Sequence, residues 1–272
     1  MEVDLIIQSK WIAPVIPQTT LLKDHAIIIK DKRILALRPQ QDLDNRYIAK
    51  NIVQLSSHIL IPGLVNSHGH APMALLRGTA DDLPLNEWLE RRIWPLEKNL
   101  VGRDFVSEGA HLAIAEMITS GTTCFADMYF FPDEVAKVAS LANMRVQLAS
   151  PILDFPTIWA NNPDEYILKA TQLHDDYRNN EVVYTAFGPH APYTISDEPL
   201  IKIGVLADEL DIPIHMHIHE TKKEIQDSIN QFGCRPLERL LNLGLITPRL
   251  NAIHATQLLD DEISYISQLG AN

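Results

Sequence analysis

The stretch Ile212-Pro-Ile-His-Met-His-Ile-His-Glu220 carries an imidazole at every second position and ends on a carboxylate. An extended chain sends successive side chains to opposite faces. The spacing therefore predicts a strand with His215, His217 and His219 on one side and Ile214, Met216 and Ile218 on the other. One face is apolar and the other can coordinate a metal. Such a strand needs a sheet to sit in, and the flanking sequence supplies one.

From residue 59 onward, apolar runs alternate with amphipathic stretches of helical length. Six runs read as strands: Ile59–His70, Thr122–Met128, Arg145–Asp154, Val182–His190, Ile212–Glu220 and Leu250–Gln257. Helix punctuation separates them. Asp104–Ser120 closes on Gly121, Pro132 opens a helix at its first turn, Asp164–Arg178 follows Pro163, Ser196 caps Asp197–Leu210, and Asp260–Leu269 runs into Gly270. This alternation suits a parallel sheet, either doubly wound or closed into a barrel. Polar residues gather at the C-terminal ends of the strands, which favours an α/β fold of the TIM-type (β/α)8 barrel. Six strands predict an incomplete barrel with two unpaired edges. Residues 3–57 have another texture: the β-rich runs VDLIIQ, HAIIIKDKRILAL and NIVQL are broken by Pro14, Pro17 and the Asp31-Lys-Arg33 turn. The expected division is a small all-β, sandwich-like module over residues 1–57 and the barrel, strands one to six, over residues 58–272.

The chain of 272 residues is 46% hydrophobic and 21% charged, enough to bury a large core. A net charge of -12 disfavours nucleic acid and anionic membranes as partners and points to a small-molecule substrate. Cys124 and Cys234 stand in no metal-binding spacing, which suggests a reducing compartment and a cytoplasmic location. The N-terminal MEVDLIIQSK mixes charges into its apolar residues, unlike a signal peptide, and no segment approaches the ~18 apolar residues of a membrane span. Sequence leaves oligomeric state open, homo-oligomers included.

His68 and His70, in Asn66-Ser-His-Gly-His70, form a second alternating pair, with Gly69 keeping the backbone between them uncrowded. Two histidines at i and i+2 can hold one Zn2+ at ~2.0–2.1 Å, with His217 supplying a third nitrogen from another strand. A catalytic zinc keeps a position for water, whose pKa falls toward ~7. Glu220, three residues past His217, suits proton shuttling, and it equally suits the N-terminal end of a helix beginning near Thr221. His254, near the end of the sixth strand, suits orienting the hydroxide or polarising a leaving group. Trp88, Trp94 and Trp159 are candidates for pocket walls or for core packing.

Five stretches together closely resemble the amidohydrolase superfamily, and within it the 5-methylthioadenosine/S-adenosylhomocysteine deaminases. They are PGLVNSHGHAPMALLRGTADDLPLNEWLERRIWPLEK (62–98), SGTTCFADMY (120–129), GPHAPYTIS (188–196), IHMHIHET (214–221) and AIHATQLLDDEI (252–263). The resemblance implies that His68, His70 and His217 are metal ligands, that Glu220 is the proton shuttle, and that His215 and His219 do not ligate. It further implies that Glu97 receives the ribose hydroxyls, that His190 hydrogen-bonds the purine ring, and that His254 lies beside the attacking hydroxide. Family members add a ligating aspartate after an eighth strand and a C-terminal segment that finishes the small β module, both expected beyond residue 272. The implied reaction is zinc-dependent hydrolytic deamination of adenosine derivatives. Guanine aminohydrolases and triazine chlorohydrolases share the first motif, and an inactive remnant is a further alternative. VVYTAFGPHAP offers no lysine for a carboxylated bridge, which implies one metal. The P-C-x-x-C signature of the cytidine-type zinc deaminases is missing.

Overall fold

The computed structural model describes residues 1–16, 20–43, 46–80 and 82–272. They form two compact units, Met1–Leu64 and Val65–Asn272. In the first unit, β1 (Glu2–Ile12), β2 (Leu22–Lys30), β3 (Arg33–Pro39) and β4 (Ile48–Leu60) make one sheet of order β3-β2-β1-β4. β1 is antiparallel to β2 and parallel to β4. The turn between β2 and β3 falls where the sequence put it, with Asp31 and Lys32 at φ 49° and 62°, the left-handed pair that a two-residue hairpin requires. Asp4 secures it by accepting the Asp31 N–H at 2.7 Å. Ala26 and Ile28, two apart on β2, are buried in one cluster with Val3 and Ile6 of β1.

The described residues of this module form a single sheet. One expectation about it is corrected. The boundary placed after residue 57 falls inside β4, because Ile59 and Leu60 stay in register with Trp11 and Ile12 of β1. The apolar run Ile59–His70 is accordingly not one strand. Pro62-Gly63 interrupts it, and only β5 (Leu64–Asn66) joins the second sheet. Pro17 lies outside the described residues.

The second unit begins with β5 and continues through α1 (Leu85–Trp88), α2 (Trp94–Leu100), α3 (Arg103–Ser120), β6 (Thr122–Asp127), α4 (Pro132–Leu141) and β7 (Arg145–Ile152). It goes on with α5 (Pro163–Tyr177), β8 (Val183–Pro189), α6 (Asp197–Leu210), β9 (Ile214–Ile218), α7 (Lys222–Phe232), α8 (Pro236–Asn242), β10 (Leu250–His254) and α9 (Asp260–Leu269). The strands lie side by side in sequence order from β5 to β10, and β6 to β10 pair in parallel with their neighbours. This is the six-stranded, incomplete TIM-type barrel that the sequence predicts. Asn272 donates its N–H to the Leu250 carbonyl at 2.9 Å and accepts from the Ala252 N–H at 2.7 Å, so the edge of β10 is paired over two residues.

The helix ends follow their sequence signals closely. α3 stops at Gly121, whose φ of 87° only glycine adopts cheaply. Asn162 caps α5 by accepting the Glu165 N–H at 3.0 Å. Ser196 does precede α6, but its hydroxyl makes no capping bond, and its N–H donates instead to Asp154 Oδ2 at 2.8 Å. Every residue of β9 is buried, as a strand covered on both faces must be. Ile214, Met216 and Ile218 pack into a core with Phe187, Ile203 and Leu240.

Candidate metal centre

The strands end where the chemistry begins. His68 and His70 lie beyond β5 rather than on it, so their convergence is set by the loop and not by strand alternation. That loop is pinned on both sides. The Met128 N–H donates to the Gly69 carbonyl at 3.0 Å, and the Ala71 N–H donates to the buried Asp127 carboxylate at 2.5 Å. The short helical turn Ala71–Leu76 then lies against α3 at Gly109, where a Cβ would come within 2.7 Å of the Pro72 Cα. Glycine is required there by close approach. Gly69 is a different case: a Cβ would meet nothing nearer than Asn66 Nδ2 at 3.4 Å, an ordinary contact, so space alone does not demand a glycine between the histidines.

His215 and His217 sit on β9 and face the same side, as alternation predicts. His219 does not join them. It lies past the strand at φ 54°, and its buried ring turns away to accept the Leu237 N–H at 3.0 Å, near Arg235 and Glu262. The left-handed backbone that removes His219 also aims Glu220. His254 and Ala255 repeat this device at the end of β10, with φ 72° and 50°. Such non-glycine conformations cost about 1–3 kcal/mol each. Here they are held by cross-strand bonds, from the Ala255 N–H to the Ile218 carbonyl at 3.0 Å and from the Thr256 hydroxyl to the Glu220 carbonyl at 2.7 Å.

Around the centre, His68 Nε2 and His217 Nε2 are 3.2 Å apart. Two nitrogens of a tetrahedral zinc, each ~2.0–2.1 Å from the ion, stand about 3.3 Å apart. One ligand atom from each of His68, His217 and His254 fits within 4.8 Å of the other two. The His70 ring lies next to this group, its centroid 4.9 Å from that of His68 and 5.4 Å from that of His217. His70 Nδ1 donates to the Met128 carbonyl at 2.5 Å and His217 Nδ1 to the His190 carbonyl at 2.7 Å. Both rings therefore keep Nε2 free, the orientation that a carbonyl hydrogen-bonded to Nδ1 imposes on a ligating histidine. Burial and the neighbouring imidazoles lower the pKa of His68 to about 3, and burial lowers those of His70 and His217. These rings are neutral at pH 7 and present lone pairs, as metal ligation requires. The donor set fits a divalent cation.

The remaining candidates surround this group. Glu220 Oε1 is 3.6 Å from His254 Nε2, and burial raises the carboxyl's pKa against the pull of that imidazole. A cleft of about 650 Å3 adjoins the histidines and is lined by His70, His190, Glu97, Tyr129, Trp88 and Trp94 among others. Trp159 is not among its walls; it is buried in the core, 5.7 Å from the Tyr166 ring. Burial lowers the pKa of His190 to about 4, so that ring too is neutral. Glu97 accepts the Tyr129 hydroxyl at 2.8 Å, and burial raises its pKa while that bond opposes the rise. Sequence reasoning gave no role to Tyr129, Asp127 or Glu224. SGTTCFADMY carries the first two, but nothing in one sequence says that Asp127 and Met128 reach back to the loop at residues 69–71. Glu224 is legible only as a helix first-turn acid. In the fold it is buried, accepting the N–H groups of His219 at 2.9 Å and Glu220 at 2.7 Å.

Parallel β/α units with ionisable residues gathered past the strand C-termini are the arrangement of a (β/α) barrel whose site lies at that face. Residues 59–272 match the model of the Amidohydrolase family, and the chain belongs to that family. It is 48% identical over 269 residues to a 5-methylthioadenosine/S-adenosylhomocysteine deaminase of Saccharophagus degradans, covering 99% of this chain and 60% of that protein. A protein of the same description from Teredinibacter turnerae is 47% identical over 270 residues, covering 99% and 61%. The crystal structure of an adenosine deaminase from Xanthomonas campestris with bound zinc matches with a TM-score of 0.97 and 45% identity, over 99% of this chain and 62% of that one. The chain thus spans about 60% of the length of the curated relatives it matches. Among its described residues, no helix is long and apolar enough to cross a membrane.

Proposed function

We propose that this chain carries the metal-binding and nucleoside-binding part of a hydrolytic deaminase acting on adenosine derivatives, 5-methylthioadenosine and S-adenosylhomocysteine among them. The observation that carries this reading is the 3.2 Å approach of His68 Nε2 to His217 Nε2, with His70 and His254 beside them. The names of the relatives support the substrate class. In this reading His68, His70 and His217 hold one divalent metal, most simply Zn2+, and His254 lies next to the reacting atoms.

When bound, such a metal supplies a Lewis acid and brings the pKa of water near ~7. The residues do the rest. Glu97 receives the ribose hydroxyls, and the Tyr129 hydroxyl on Oε1 leaves Oε2 free for them. His190 shares its Nδ1 with Thr194 Oγ1 at 3.2 Å and offers its other nitrogen to the purine. Glu220 takes a proton from water and delivers it to the ring nitrogen beside the carbon bearing the amino group. Burial, by raising its pKa, suits it to both halves of that exchange. Water adds at that carbon and ammonia departs, so adenosine derivative plus water gives inosine derivative plus ammonia.

The test is the ultraviolet change from adenine to hypoxanthine, followed with several 5-substituted adenosines before and after chelation, on this chain and on a version extended past Asn272. Deamination of a nucleoside that stops on chelation and returns with zinc supports the reading. Deamination that survives complete removal of metal, or that acts on free guanine and no nucleoside, overturns it.

A further inference from the structure

Two imidazoles of the opening motif, His215 and His219, have no part in the proposed chemistry, and His215 stands against the site itself. It is 1% exposed, and its Nε2 lies 2.9 Å from His68 Nδ1. The two rings are inclined by 23°, which suits an N–H···N bond. Its own Nδ1 is buried without a hydrogen-bond partner. His70 and His217 each have Nδ1 bound to a backbone carbonyl, an acceptor that cannot exchange roles. His68 has an imidazole in that place. An imidazole can donate or accept, so the tautomer of His68 is undecided until that of His215 is set.

We propose that His215 is a positioning residue that sets the His68 tautomer, accepting the His68 Nδ1–H at Nε2 so that His68 Nε2 is free to ligate a divalent cation. The proposal rests on the metal reading given above. Two arrangements are open to the neutral pair. In the first, His215 Nε2–H donates to His68 Nδ1 and His68 Nε2–H donates to His217 Nε2, which accounts for their 3.2 Å separation without a cation. In the second, His68 Nδ1–H donates to His215 Nε2, and His215 carries its proton on Nδ1. The exchange between them balances. The His215 Nε2 proton passes to His68 Nδ1, the His68 Nε2 proton leaves to solvent, and His215 Nδ1 takes one up. Metal binding selects the second arrangement, because only there does His68 Nε2 hold a lone pair. The unpaired Nδ1 is consistent with this part: a residue kept only for packing gains nothing from a buried polar atom with no partner.

The experiment compares zinc affinity in the wild-type chain, His215→Phe and His215→Gln, by competition with a chromophoric chelator, with circular dichroism recorded on each. Phe keeps a planar ring but has no acceptor, whereas Gln places a carbonyl oxygen near the position of Nε2. Loss of an outer-shell partner typically costs about 10- to 100-fold in metal affinity. The expected result is a rise of that order in Kd for His215→Phe, largely recovered in His215→Gln. Equal affinity in wild type and His215→Phe, or equal weakening in both variants, overturns the role of His215 while leaving the metal reading intact. A wild-type chain that binds no zinc overturns the metal reading and this inference with it. Histidine-selective 15N spectra of the wild type need no variant to fold. With zinc, the proton of His215 should move from Nε2 to Nδ1, and a proton retained on His215 Nε2 in the zinc-loaded protein overturns the proposal.

Discussion

Replacing Glu224 with Gln should damage Glu220 without touching it. The Glu224 carboxylate accepts two consecutive backbone N–H groups, those of His219 and Glu220, across the left-handed residue that aims Glu220 at the site. It is 6% exposed, and the Thr221 hydroxyl caps its own N–H at 3.1 Å. Glutamine retains one acceptor oxygen and presents an amide NH2 to the other donor, leaving one buried N–H unpaired. An unpaired group of this kind costs about 1–3 kcal/mol, and the lost charge assistance belongs to the same range. At about 2–4 °C per kcal/mol for a unit of this size, the melting temperature should fall by roughly 2–12 °C. If the turn relaxes, Glu220 leaves its position near His254, and kcat should drop by about 10-fold or more with KM for the nucleoside little changed. Thermal unfolding and steady-state deamination, both at pH 8, give the two readouts. A variant with unchanged melting temperature and unchanged kcat would refute the assignment of Glu224 as the strut beneath Glu220. A lower melting temperature with full kcat would leave it a helix cap and nothing more.

Two further outcomes separate roles within the site. In chelator competition, His70→Ala should weaken zinc binding by orders of magnitude, whereas His254→Ala should change zinc affinity only a few-fold and cut kcat by about 10^2–10^4. The reverse ranking would assign the ligands to His68, His217 and His254. Burial pushes the Asp127 carboxyl up to about 7, so between about pH 4 and pH 7 the folded, metal-free state holds a proton that the unfolded chain gives up. Stability should therefore fall as pH rises through that window, by on the order of 4 kcal/mol at most, and Asp127→Asn should flatten the slope. Urea midpoints from pH 4.5 to 8 check this, and equal slopes in both proteins would place the titrating group elsewhere.

The sheet was readable in the sequence because its cause is local. Period-two alternation, glycine and proline punctuation and buried apolar runs put β6, β7, β8 and β10 within a few residues of their observed limits. The errors share one physical reason. Ile59–His70 reads as one strand because its apolar pattern continues through Pro62-Gly63, yet pairing with β1 ends at Leu60 and the second sheet takes up only Leu64–Asn66. Ile212–Glu220 reads as three imidazoles on one face because alternation assumes an extended backbone. That assumption fails at His219, where N–H groups of Leu237 and Gln257 donating to it and the Glu224 carboxylate accepting its own N–H stabilise a left-handed residue that no single sequence announces.

The same distinction explains why the histidines were easier to find than the groups that hold them. A ligand set is visible as residue type and spacing, since nitrogen lone pairs at one centre demand histidines wherever the strands end. Its supports are backbone carbonyls and single buried acids, and these have no compositional signature. Met128 contributes to the centre through its carbonyl and N–H alone, so its side chain says nothing about its part. His215 stands between these cases. It is a histidine by type and a support by position, since its alternation with His217 places it beside the centre and its distance from His68 gives it work there. His215 and His217 of β9 face the site for the same geometric reason, and what each nitrogen meets across the sheet separates the proposed ligand from its proposed support.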